Sequence, residues 1–338
     1  MVLKVCVIGA GIIGLSSAIQ IQERVGQWDI TLVADKFSPE TTGDGSGGFW
    51  KPHMLGETPI SDIRRWSVTT WQHLTDIATS PLAAQAGAST VSGYSLSSRP
   101  QYQEEWWKDL VLGYRHLSPR ELQMFPDAKS GVFFTTVQIN AVAYMDYLLR
   151  RFQKNGGKLQ RKTITSIDEV ACDYDVVVNC SGIRARHLLR DLEVVPVRGH
   201  LTRVRAPWVK HFVLRLDPGE EAFVLPGVMT SVLGGADEVG NWSTEVREED
   251  KTAVWQRCCQ LMPSLQDAKV DHHWVGLRPS RSRVRLETSH MTVQGRAVPV
   301  IHNYGHGGSG VTLHWGCAAE AADLVLREIQ ARRRMAKL

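Results

Sequence analysis

Leu3-Lys-Val-Cys-Val-Ile-Gly-Ala-Gly-Ile-Ile-Gly14 decides the fold. Its first half, Leu3 to Ile8, is a short apolar run of the kind that forms a parallel strand covered on both faces. Gly9, Gly11 and Gly14 follow at GxGxxG spacing, with Ala10, Ile12 and Ile13 between them, and a helical segment continues to about Val25. Each glycine has its own reason. Gly9 permits the tight turn, Gly11 lets the backbone approach a pyrophosphate, and Gly14 lets helix and strand pack closely. The helix N-terminus offers free N–H groups and a partial positive charge to phosphates. Asp29 to Ala34 is the next strand, and Asp35 stands at its end, 21 residues after Gly14, to accept hydrogen bonds from a ribose diol. This is one β-α-β unit, so the sheet around it is parallel.

Outward from that unit the pattern changes. Residues 38–56 are rich in Gly, Ser, Thr and Pro and read as a long loop, and residues 59–125 are polar, with helical stretches and several tryptophans. Ala141 to Asn155 has the spacing of an amphipathic helix, and Tyr174 to Asn179 reads as another buried strand, ending at Cys180-Ser181-Gly182. Residues 196–236 alternate apolar and polar over strand-length runs, which predicts an antiparallel sheet. Val298 to His302 leads through Tyr304-Gly-His-Gly-Gly-Ser-Gly310 into a helix from about Val311.

The expected fold class is therefore α/β. A Rossmann-type dinucleotide domain is built from the discontinuous segments 1–50, 140–195 and 285–338. An α+β substrate domain with a mostly antiparallel sheet takes 51–139 and 196–284. Nicotinamide dehydrogenases usually complete a contiguous doubly wound domain. A fold that returns to its cofactor far down the chain suits a longer dinucleotide, FAD, whose flavin end draws on distant segments. The cluster Gly305, Gly307, Gly308, Ser309 and Gly310 then offers backbone N–H groups to the flavin ring or its ribityl chain.

Composition narrows the classes. The chain has 338 residues, 43% hydrophobic and 22% charged, enough for two domains with a large core. No apolar run reaches the ~20 residues of a membrane span. A net charge of +4 is small and scattered, which argues against nucleic acid and for a modest preference for small anions. None of Cys6, Cys172, Cys180, Cys258, Cys259 and Cys317 makes a CxxC pair or stands at zinc spacing from a histidine, so no structural metal and a reducing compartment are expected. The strand-like N-terminus leaves no room for a secretory leader. The terminal Ala336-Lys337-Leu338 is a close variant of the small-basic-leucine address read by the peroxisomal import receptor.

Gly276-Leu-Arg278-Pro-Ser-Arg281-Ser-Arg283-Val-Arg285 carries four arginines in eight residues. In an extended stretch Arg281, Arg283 and Arg285 share a face, and solvent exposure is the expectation for most of that row. Arg278, before a proline and after small or apolar residues, differs: its planar fork suits bidentate capture of a carboxylate.

These motifs coincide with a known family. The sequence resembles the D-amino-acid oxidase and D-aspartate oxidase family over nearly its whole length. The matching stretches begin with Val7-Ile-Gly-Ala-Gly-Ile-Ile-Gly-Leu-Ser16, Ala34-Asp-Lys-Phe-Ser-Pro-Glu-Thr-Thr42, Val91-Ser-Gly-Tyr94 and Val111-Leu-Gly-Tyr114. Further on come Val178-Asn-Cys-Ser-Gly182, Ala206-Pro-Trp-Val-Lys-His-Phe212, Gly276-Leu-Arg-Pro279 and His302-Asn-Tyr-Gly-His-Gly-Gly308. The resemblance implies cofactor contacts from Gly9, Gly11, Gly14, Asp35, Lys36, Thr41, Thr42, Gly47, Gly48, Phe49, Thr163, Ser181, Gly182, Gly307 and Thr312, with Lys51 and Arg278 beside the flavin. It makes Arg278 the clamp of the substrate α-carboxylate and the carbonyl of Gly308 the acceptor for the α-amine. It implies hydride transfer from Cα to flavin N5, reduction of O₂ to H₂O₂ and release of a 2-oxo acid and ammonia. A peroxide-forming reaction agrees with a peroxisomal address. A homodimer is left open.

The side-chain pocket departs from the family pattern. Phe223 stands where a tyrosine is usual, which removes a donor to the carboxylate and keeps the ring wall. Asp237 follows Gly234-Gly-Ala where D-aspartate oxidases often place an arginine, and it would repel a second carboxylate. Arg215 lies near another arginine typical of the aspartate enzymes, across a one-residue gap, and His53 with Glu57-Thr-Pro-Ile60 leans the same way. His302 to Gly308 and Leu313-His-Trp-Gly-Cys317 look more like the neutral-substrate enzymes. Lys51, where a glutamine is common, could pair with Asp237, the flavin or the substrate. A D-amino-acid oxidase of broad or neutral preference is favoured. D-aspartate oxidase is the first alternative, a glycine or sarcosine oxidase-like flavoenzyme the second, and a basic substrate drawn by Asp237 a third. An NAD-dependent dehydrogenase and a flavin-binding protein without turnover are the remaining rivals.

Overall fold

The computed structural model describes residues 3–25 and 28–335, so the terminal Ala336-Lys337-Leu338 lies outside the described residues. Among the described residues thirteen strands run in chain order: β1 (Lys4–Ile8), β2 (Asp29–Ala34), β3 (Ala88–Ser97), β4 (Leu112–His116), β5 (Ser130–Ile139), β6 (Lys158–Arg161), β7 (Val176–Asn179), β8 (Val195–Arg205), β9 (Phe212–Arg215), β10 (Ala222–Leu225), β11 (Ser231–Val239), β12 (Lys269–Val293) and β13 (Arg296–His306). They form one continuous sheet, ordered β4-β5-β3-β9-β10-β11-β8-β12-β13-β7-β1-β2-β6. The half from β13 to β6 is parallel. The other half is antiparallel except where β3 runs alongside β9.

The strand β12 joins the halves. Lys269 to Ser280 pair with β8 and Arg285 to Val293 pair with β13, with a register shift between Ser280 and Arg285. Arg278 thus sits just before the point where the sheet changes character, and the ends of the parallel strands open beside it.

The parallel half is buried because both its faces are covered. Val5 and Val7 of β1 pack under the helices Ile12–Val25, Ala141–Lys154 and Gly310–Met335, while Cys6 and Ile8 pack against Val33, Ile164, Val170 and Val300. The helix Ile60–Ala78 lies on the Gly310–Met335 helix, close enough that a Cβ at Gly316 would overlap the Trp66 backbone. The block 59–125 contains strands as well as helix. Their polar alternation hid them: Ser89, Thr90 and Ser92 of β3 lie among its buried Ala88, Val91 and Leu96. All six cysteines are free, with only Cys172 exposed. Among the described residues no group of His, Cys, Asp and Glu could hold a metal ion, and no helix is long and apolar enough to cross a membrane.

Candidate active site

A cavity of about 980 Å³ runs from the ends of the parallel strands to the antiparallel half. That is the upper end of the ligand-pocket range and suits an elongated dinucleotide with a small substrate beside it. Its first wall is the glycine turn. Gly9 has φ +101°, and a Cβ there would crowd the Cys180 carbonyl, while a Cβ at Gly14 would overlap the Gly9 carbonyl oxygen. Gly14 itself does not line the cavity. A Cβ at Gly11 meets nothing within 4 Å, because that side of the backbone faces the cavity. These are three separate constraints, and only the one at Gly11 leaves room for a ligand.

At the far end of the parallel half, Asp35 and Lys36 line the wall, and Asp35 is ion-paired with Arg184. Thr41, Thr42, Gly47, Gly48 and Phe49 line the next stretch. The Thr41 hydroxyl is engaged by the buried carboxylate of Asp44, at 2.6 Å, so it orders the loop from within. Trp274 fills space that Gly45 and Gly276 leave open and forms a rigid wall. Ser181, Gly182, Gly307, Gly308 and Gly310 close the opposite side, with Gly307 and Gly310 at the mouth of the last helix.

Several expected contacts are placed elsewhere. Thr163 is exposed; its neighbours Lys162 and Ile164 line the cavity and it does not. Thr312 donates to the Lys51 carbonyl at 2.9 Å, and Ser309 accepts from the His53 N–H at 2.7 Å and donates back to its carbonyl. Neither lines the cavity, and their hydroxyls instead hold the Lys51–His53 loop on the last helix. Gly305 is buried behind the wall, where a Cβ would press on Arg281. Ala10, Ile12 and Ile13 do line the cavity, through the turn they belong to.

Lys51, His53, Phe223, Asp237, Arg278 and Gly308, the residues expected at the substrate, all line the same cavity. Arg215 is not among them. Strand alternation carries Leu214 and Leu216 to the cavity and turns Arg215 to the other face, into a separate crevice with Arg257. Lys51 does not pair with Asp237 either: its Nζ lies 3.3 Å from Glu105 and 5.4 Å from the centre of the Trp107 ring. The arginine row corrects a further expectation. Arg283 is exposed, but Arg281 pairs with Asp191 at 3.0 Å and Glu193 at 3.1 Å, and Arg285 donates to Tyr304 at 2.8 Å. Asp191 and Glu193 are some ninety positions away in sequence, so no local reading could place them.

Arg278 itself reaches the cavity, one-fifth exposed, and is ion-paired with Asp237. The guanidinium lies across Gly199 of β8, where a Cβ would overlap it. Among the described residues one of its nitrogens, Nη1, has a protein acceptor, which leaves Nε and Nη2 for a ligand carboxylate. His53 Nε2 stands 4.0 Å from Asp237. Solvent reaches the ring through the cavity, yet protein encloses most of it. That enclosure, with Lys51 and Arg278 nearby, pulls its pKa down to about 4, so it is neutral near pH 7.

Residues that sequence reasoning missed also shape the site: Ser46, Glu105, Glu221, Asn303, Tyr304 and His306. Ser46 Oγ, Ser181 Oγ, Asn303 Oδ1 and His306 Nε2 are buried with no partner among the described residues, and all four residues line the cavity. Unpaired buried polar groups around a dinucleotide-sized space fit a polar cofactor such as FAD. Tyr304 and His306 carried a signal, since both lie inside the glycine cluster. Glu105 lay in an undifferentiated polar block and carried none.

Comparison with known proteins agrees with this geometry. The model of the FAD dependent oxidoreductase family (DAO) matches residues 4–324. The chain is 39% identical to a D-aspartate oxidase of Homo sapiens over 331 residues, 98% of this chain and 96% of that protein. It is 38% identical to a D-amino-acid oxidase of Rubrobacter xylanophilus over 325 residues, 96% of each. Among solved structures, glycine oxidase from Bacillus cereus ATCC 14579 shares the fold with a TM-score of 0.74 at 17% identity, covering 96% of this chain and 95% of that one. The chain therefore belongs to the FAD-dependent oxidoreductase family, among the D-amino-acid and D-aspartate oxidases, and FAD is its cofactor.

Proposed function

We propose that this enzyme oxidises D-amino acids of broad side-chain preference, neutral ones included, to 2-oxo acids and ammonia. The observation that carries the reading is Arg278: a cavity-lining guanidinium with two uncommitted donor nitrogens, beside the Gly307–Gly310 mouth of the last helix. It takes the α-carboxylate, and the exposed backbone of Gly308 offers a carbonyl to the α-amine. Bound FAD would supply the acceptor for the Cα hydride and the two-electron route to O₂ that gives H₂O₂, and the imino acid left would take up water to give the 2-oxo acid and ammonia. The glycine turn, Asp35, Gly47–Phe49, Ser181 and Gly307 are the proposed cofactor-binding residues.

The chain's own residues then position and exclude water. Phe223, Leu214 and Leu225 form an apolar wall on one side of the substrate. Neither Tyr304 nor His53 is set as a strong base. Tyr304 donates its hydroxyl proton to Asp191 at 2.7 Å, and His53 is held at low basicity. Positioning carries the reaction.

A D-aspartate preference draws less support from the site. Arg215 faces away, and the group beside Arg278 is a carboxylate. The proposed division keeps 1–50, 140–195 and 285–338 on the FAD side and 51–139 and 196–284 on the substrate side. Peroxisomal import through Ala336-Lys337-Leu338 and a homodimer belong to the same proposal, the first supported by the tripeptide and by the peroxide the reaction releases.

A peroxide-coupled screen of D-amino acids, their L-forms, glycine and sarcosine under air tests the reading. Peroxide from D-amino acids and little from the others is expected. Faster turnover of glycine, sarcosine or L-forms would replace it with an oxidase of the glycine type.

A further inference from the structure

Charge at the substrate end does not balance. Lys51 is paired with Glu105 and Arg278 with Asp237, and the carboxylate-bearing Glu221 also lines the cavity. His53 and His306 are neutral there. Two cations thus face three carboxylates before any substrate enters. An incoming α-carboxylate shares the Arg278 guanidinium with Asp237, which already holds one of its nitrogens while the group lies across Gly199. Two carboxylates on one guanidinium repel each other unless a second cation joins them. A neutral side chain brings none, and an acidic one adds a third negative group.

We propose that Asp237 is the specificity-determining residue of this site, and that it favours D-amino acids whose side chain ends in a cation. The inference rests on the oxidase reading above. Asp237 suits the role: its carboxylate is one-third exposed, lines the cavity, and has one oxygen toward Arg278 and the other toward His53. A substrate ammonium or guanidinium entering beside Phe223 replaces the half-share of Arg278 that Asp237 gives up. Neutral substrates remain acceptable and acidic ones are the poorest.

The test compares D-lysine with D-norleucine, which has the same four-carbon chain without the charge, and with D-glutamate, using the FAD-loaded enzyme. Wild-type kcat/KM should be about two- to fivefold higher for D-lysine than for D-norleucine, the worth of one partly exposed ion pair, with D-glutamate lowest. Asp237→Asn should collapse that ratio toward one, Asp237→Glu should preserve it, and Asp237→Arg should raise D-glutamate above D-lysine. A wild-type ratio of one or less overturns the inference without any variant, which covers a variant that fails to fold. A ratio unmoved by Asp237→Asn overturns it too. Peroxide from none of the three, nor from any other D-amino acid, would instead remove the oxidase reading on which it stands.

Discussion

Gly199 lies directly beneath the guanidinium of Arg278, on the strand between those that carry Arg278 and Asp237. The absence of a side chain at 199 is what allows Arg278 to lie flat across the sheet. Gly199→Ala should displace the guanidinium at little cost in stability, because the atoms that must move are the far end of a flexible side chain. The expected result is a raised KM with flavin absorbance retained. An unchanged KM would show that the lane is not needed.

Gly11 and Gly14 make opposite predictions despite belonging to one motif. A Cβ at Gly14 collides with the Gly9 carbonyl, so Gly14→Ala should lower the stability of the FAD-free protein by about 1–3 kcal/mol. A Cβ at Gly11 meets no protein atom within 4 Å, so Gly11→Ala should leave the FAD-free melt unchanged and weaken FAD binding about tenfold or more. Melting curves with and without FAD, together with flavin fluorescence titration, separate the two.

Restoring a phenol at position 223 should help substrate capture. Phe223→Tyr adds one donor at the cavity wall, worth about 1.5–3 kcal/mol to a charged acceptor, so kcat/KM should rise roughly ten- to a hundredfold. A fall, or no change, would place the ring away from the carboxylate.

Acid should destabilise the fold through its buried histidines. Burial lowers the pKa of His73 and His306 to about 3 and of His302 to about 4. The unfolded chain, with histidines near 6.5, therefore binds more protons between about pH 6.5 and 3. The stability they contribute is complete above pH 6.5 and is lost as pH falls through that window. Melting temperature should drop from pH 7 to pH 5, and His306→Gln should flatten the slope; a flat profile in the wild type would contradict it. His53, also lowered to about 4, should give no inflection in kcat/KM between pH 6 and 9.

What the sequence made legible was chemistry tied to local pattern. The turn at Gly9–Gly14, the acid at Asp35 and the guanidinium at 278 each carry their reason within a few residues, and the structure puts Gly9, Gly11, Asp35 and Arg278 on one cavity. What it concealed were facts about registry and distant partners. Arg215 was misread because one position along a strand exchanges the two faces of the sheet, and a one-residue gap in the matching motif hides that parity. Arg281 and Arg285 looked like a solvent-facing row because Asp191 and Glu193 come from a different element. Thr312 and Ser309 looked like ligand contacts, yet their hydroxyls hold the Lys51–His53 loop. The pairing of Arg278 with Asp237 follows from Asp237 standing opposite Gly199 and from the Arg278 side chain, whose own register partner is Val197, lying across that glycine, which only the assembled sheet supplies.

The most direct measurement is steady-state and FAD-binding analysis of Arg278→Ala with a neutral D-amino acid. Loss of the charged partner of a largely buried carboxylate costs about 2–5 kcal/mol, so KM should rise by well over tenfold while the purified protein stays yellow. Retained flavin with an unchanged KM would contradict the role given to Arg278, and the account of the site with it.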